Sequence, residues 1–111
     1  MQAEKEQSLD SLDYASELRD TAQEFKELAF DYKKERALYA EALNKLTNLI
    51  YITGLYEDKA SFENKLTKLL ATNKAQEAQQ YIEQLNSSRA NYKGLEMILE
   101  AFKAHISAVQ S

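Results

Sequence analysis

Cysteine, proline and tryptophan do not occur in this 111-residue chain, and glycine occurs only at Gly54 and Gly94. Without cysteine there is no disulfide framework, no thiolate zinc site and no cysteine nucleophile. Without proline, and with two isolated glycines, the chain lacks the punctuation that an all-β or mixed fold with many tight turns requires. The same shortage rules out a phosphate-cradling loop or a dinucleotide fingerprint. Long apolar runs are missing too. The densest, Leu49-Ile50-Tyr51-Ile52, is one helical turn against the roughly 18 residues of a membrane span. The opening residues Met1–Gln7 have no apolar core of the signal-peptide kind.

Histidine is nearly as scarce. His105 is the single one, between Phe102 and Ile106. A carboxylate-bridged two-metal bundle wants Glu-x-x-His on two helices. One histidine cannot serve both, and the residue three before it is Phe102. The serines have no histidine partner in a sharp strand-to-helix turn, and carboxylates such as Glu24 and Glu27 read as solvated helix surface. The expectation is a cytoplasmic protein that is not an enzyme, with no cofactor, no metal, no small-molecule substrate and no membrane.

What is present is apolar periodicity. Leu18, Ala22, Phe25, Ala29, Tyr32, Arg36, Tyr39, Leu43, Leu46 and Ile50 follow a strict 4-3-4-3 spacing, the signature of a heptad seam. Leu9, Leu12 and Ala15 extend it toward the N-terminus. Gly54 stands where a C′ glycine ends a helix, so a first helix is expected over 10–53, preceded by a frayed acidic tail at 1–9. Asp58 is read as an N-cap for a short second helix over 59–71. Asn73 followed by Gln76 resembles a capping box opening a third helix over 74–110. There Ala78, Ile82, Leu85, Arg89 and Tyr92 keep the spacing, and Leu95, Leu99, Phe102, Ile106 and Val109 resume it after one extra three-residue step. Such a slip, beside Asn86-Ser87-Ser88 and Gly94, predicts a bend or break near 86–94.

These elements predict an all-α fold: a long helical hairpin of two heptad-patterned helices joined by a short one. Its first helix is roughly 65 Å long at 1.5 Å per residue. A compact chain of this size has a radius of gyration of only about 13–14 Å. A hairpin that extended buries its seam on one side only, so packing into an oligomeric helical bundle or coiled coil is expected.

Net charge is −4, unevenly placed. Residues 1–31 hold nine acids against three bases, and residues 32–111 hold eleven bases against nine acids. Three features are candidates for binding. The seam itself, Leu18, Phe25, Tyr32, Arg36, Tyr39, Leu43, Leu46, Ile50, Ile82, Leu85, Arg89, Tyr92, Leu99, Phe102 and Ile106, is the expected self-association surface. If residues 53 and 74 face each other at the turn, Arg36 lies level with Asn91. Its guanidinium and that of Arg89 then form a polar layer that fixes register, or else reach out from an exposed seam edge. Tyr51, Leu55 and Tyr56 make an apolar patch beside the turn, of the kind protein partners use. Lys33, Lys34, Arg36, Lys45, Arg89 and Lys93, interleaved with tyrosines, are a candidate nucleic-acid face.

The functional expectation is a non-enzymatic helical interaction protein, an adaptor, assembly chaperone or inhibitor, whose partners are itself and another protein. The alternative is an accessory nucleic-acid-binding protein, a recombination or replication helper, that multiplies its basic face by oligomerisation.

Overall fold

The computed structural model describes the backbone of residues 2–110 and the side chains of residues 15–108. Helix α1 spans Gln2–Ile52, a single 3-10 turn covers Leu55–Glu57, α2 spans Phe62–Leu69 and α3 spans Ala75–Gln110. The molecule is an all-α hairpin in which α1 packs along α3. Among the described residues there is no strand. Its extents are 79 × 25 × 14 Å and its radius of gyration is 23.0 Å. α2 lies over the pair at the turn end only, and beyond it, among the described residues, α1 and α3 run with no third element on them.

Local chemistry sets the boundaries. Gly54 ends α1 at φ +79, a left-handed conformation that costs glycine little, and its amide returns to Tyr51 O at 3.1 Å. The helix itself begins at Gln2, ahead of the expected start at 10. The cap of α2 is Ser61, whose side chain accepts from Asn64 N at 3.3 Å, not Asp58. Asp58 Oδ1 instead accepts from Ala60 N at 3.0 Å and pairs through Oδ2 with Lys68 Nζ. The second helix is therefore shorter than 59–71. Ahead of α3, Thr72 Oγ1 rather than Asn73 meets a free amide, that of Lys74, at 3.2 Å.

α3 runs through 86–94 without a break, and its seam explains why. Residues 78, 81, 85, 88, 92, 95, 99, 102 and 106 are all buried or half-buried, a continuous 3-4 alternation with no slip once Ser88 replaces Arg89. The matching column on α1 is 25, 28, 32, 35, 39, 42, 46 and 49. The contact is centred one seat from the expected seam: Phe25, Tyr32, Tyr39 and Leu46 are kept, 28, 35, 42 and 49 join them, Ala29, Leu43 and Ile50 stay buried or half-buried at its flank, and 22 and 36 are exposed. Two guanidiniums without carboxylates are costly to bury. Ser88, at 2% exposure, and Ala42 and Ala78, at 0%, are small enough to sit in the contact. The Ser88 hydroxyl stays satisfied by donating to Gln84 O at 2.6 Å.

The register follows the expected one. Phe25 meets Phe102 with ring centroids 6.4 Å apart, Tyr32 and Tyr39 meet Tyr92 edge-on at 6.3 and 5.3 Å, and Gln84 Nε2 donates across to Leu38 O at 2.9 Å. The closely packed core lies at the turn end, where Ala42, Leu46, Leu49, Ile50, Leu66, Leu69, Ala78 and Leu85 cluster beneath α2. Tyr92 marks its limit, and from there the two arms run as a bare pair.

Candidate interaction surfaces

The arms present two broad faces, and α2 decides which is which. On one, Leu43, Ile82, Asn86 and Arg89 line a groove against Phe62, Leu66 and Leu70 of α2. On the other, Asp31, Lys34 and Glu35 of α1 line a shallow groove of about 420 Å³ with Asn91, Gly94, Leu95 and Ile98 of α3. Glu24, Glu27 and Leu28 continue that second face away from the turn.

Charge is sorted between them. Along α1 the acids Glu17, Asp20, Glu24, Glu27, Asp31 and Glu35 succeed one another at steps of three or four, forming one stripe. Like charges at that spacing cost about 0.2–0.5 kcal/mol a pair in an isolated helix. The bases Arg19, Lys26 and Lys33 recur every seven residues beside Arg36 on the α2 side, and no acid stands three or four residues from any of them. Arg89, Lys93 and Lys103 of α3 join this side, with Glu96 and Glu100 as its acids. Among the described residues the ion pairs are Lys68 with Asp58 and Lys74 with Glu77, both at the turn end. Neither stripe takes part in an ion pair among the described residues.

The two arginines therefore do not form a buried layer. Arg36 is exposed, with Cζ 4.7 Å from the centroid of the Tyr92 ring, a cation–π contact worth about 0.5–1 kcal/mol at such a site. Arg89 is half-buried and donates from Nη2 to Asn86 Oδ1 at 3.0 Å. Leu18, expected in the seam, is 51% exposed. The remaining seam candidates are buried or half-buried. Leu9 and Leu12 lie outside the described side chains, as does Val109.

The six basic candidates divide. Lys33, Arg36, Arg89 and Lys93 share the α2 side, whereas Lys34 lines the opposite groove and Lys45 repeats the 24–31–38 column of the acidic side. At the turn, Tyr51 and Tyr56 stack at 5.1 Å and stay more than half exposed, while Leu55 turns inward against the core. Phe30 and Met97, 69% and 72% exposed, were not singled out by spacing, because each sits on the back of its helix where the heptad pattern is silent. The charge stripes were legible in the sequence as the like-charge spacing on α1, a signal that counting acids and bases by segment hides.

The chain matches no family model, no curated protein and no solved structure. Among the described residues no helix is long and apolar enough to cross a membrane, and no group of three or more His, Asp or Glu is placed to hold a metal ion.

Proposed function

We propose that the chain is a cytoplasmic, non-enzymatic helical interaction protein, an adaptor, assembly chaperone or inhibitor, that works through coiled-coil-like self-association and contacts with another protein. The observation that carries this reading is that the core is confined to the turn end, and beyond it the arms are a bare pair of helices. A pair of helices in water buries one stripe of each and leaves the other flanks wet. Leu18, Phe30, Met97 and Ile98 remain exposed along the arms, which a further layer of helices would cover. The stacked Tyr51 and Tyr56 at the turn are the surface offered to a second protein, since tyrosine is favoured at binding hot spots.

Light scattering on a sizing column at low and high salt tests it. The expected result is a mass that is a multiple of 12.7 kDa. A single-chain mass at every concentration and salt refutes self-association.

A further inference from the structure

We infer that the two faces of the hairpin are made for each other in different copies: the acidic face of one chain docks on the basic face of the next. The inference rests on the self-association proposed above and names the surfaces that carry it. Three observations support it. Glu17, Glu24 and Asp31 on one side and Arg19, Lys26 and Lys33 on the other are exposed, and no described ion pair engages any of them. Within the chain no described ion pair joins the two stripes, so a second copy is free to supply the counter-charge. The free faces are also large enough. Beyond α2 the basic face runs over some 25 residues of α1, roughly 37 Å by the helical rise. Two helices wide, it offers roughly 700 Å² per copy, so about 1,400 Å² in all, within the usual 1,200–2,000 Å² of a stable interface.

The contact has apolar content as well. Ile98 and the half-buried Leu95 lie beside the acidic stripe, and Ala29 lies between Lys26 and Lys33 on the basic one. A surface that meets a different surface is heterologous. Copies then add one on another into a ring or an open stack, with neighbouring helix layers about 8–10 Å apart.

Two triple variants separate the faces without touching any described intrachain contact: R19E/K26E/K33E makes both faces acidic, and E17K/E24K/D31K makes both basic. Each alone is expected to run as a folded single chain of 12.7 kDa, its helicity checked by circular dichroism. Mixed in equal amounts they should regain multimeric mass. K34E/K45E/K59E carries the same net charge as the first variant but leaves the basic face whole, and should assemble like the parent. Raising salt from 20 to 500 mM should lower the parent's mass, because exposed charges are screened. If the parent is multimeric and either face variant keeps that mass, or the mixture stays monomeric, the face-to-face contact is wrong while self-association stands. If the control dissociates as the first variant does, net charge rather than the face is responsible, and the inference fails. A parent that is monomeric throughout sinks both readings. If it then binds a labelled oligothymidylate through the basic face, a nucleic acid is the occupant instead.

Discussion

Replacing Leu69 by alanine isolates what holds α2 on the hairpin. α2 has eight residues and buries only Leu66 and Leu69, and Leu69 is 0% exposed. A buried Leu→Ala change costs about 2–5 kcal/mol, more where the site cannot collapse. An eight-residue helix is far below the length that is stable on its own in water. Once the lost anchor exceeds what docks it, α2 therefore leaves the surface, and the further cost is capped at its docking free energy. The neighbouring Leu70 is 46% exposed, so Leu70→Ala should cost under about 1 kcal/mol.

Urea melts followed by circular dichroism give the free energies, and amide hydrogen exchange gives the location. For Leu69→Ala the amides of 62–72 should lose protection well before those of 36–48 and 80–92, since local openings follow packed units. Equal costs for the two leucines would refute this account. So would protection lost uniformly along both long helices, because α2 would then be an integral part of a single cooperative seam.

The two glycines should respond in opposite directions. Gly54→Ala places a side chain at φ +79 and should lower stability by about 1 kcal/mol, whereas Gly94, inside α3 with open space around it, should gain about 0.5–1 kcal/mol as alanine; thermal melts of both variants decide it. The Asp58 carboxyl is held below the ordinary carboxylate range, first by its hydrogen bond to Lys68 and then by the Ala60 amide. A depressed folded-state value means that the stabilisation is full above the ordinary aspartate pKa and fades as pH falls through the folded one. Asp58→Asn should therefore flatten the loss of melting temperature between about pH 5 and pH 2, and an unchanged acid profile would show that the Lys68 contact contributes nothing.

The hairpin and its register were legible because they depend on two coarse signals, an unbroken heptad pattern and one turn at Gly54. Phe25, Tyr32, Tyr39, Leu46, Leu85, Tyr92, Leu99, Phe102 and Ile106 are apolar in any reading and fall in the contact. The second column was not legible from hydrophobicity. Leu43 and Ile50 favour one flank, Leu28, Ala42 and Leu49 the other, and the sequence spacing weighs them nearly alike. Size settles it: Ser88 and the alanines admit close approach, while Arg36 and Arg89 resist desolvation. The apparent slip at 86–94 was a consequence of following Arg89 into the seam. The short helix was misplaced for a similar reason, since Asp58 and Ser61 both qualify as caps, and Asp58 is instead engaged by the Ala60 amide and by Lys68.

That one-seat rotation also determines the surface chemistry. With Arg36 and Arg89 in the contact, each would have been consumed by a buried polar layer and the remaining bases would have been scattered. With them outside, Arg36 joins Arg19, Lys26 and Lys33, and Arg89 joins Lys93, on a single side. Glu35, half-buried at the edge of the groove, extends the acids Glu17 to Asp31 on the other. The packing choice that keeps guanidiniums out of the seam is thus the same choice that gives the hairpin two faces of opposite sign. A net charge of −4 averages over both faces and conceals them. A helix that spaces its acids three or four residues from one another, and leaves Arg19, Lys26 and Lys33 with no acid at that spacing, gives up pairing energy it could have had alone. A surface of opposite charge is one place where that pairing is restored. The hairpin itself presents both, so under the contact inferred above each face is met by a neighbouring copy.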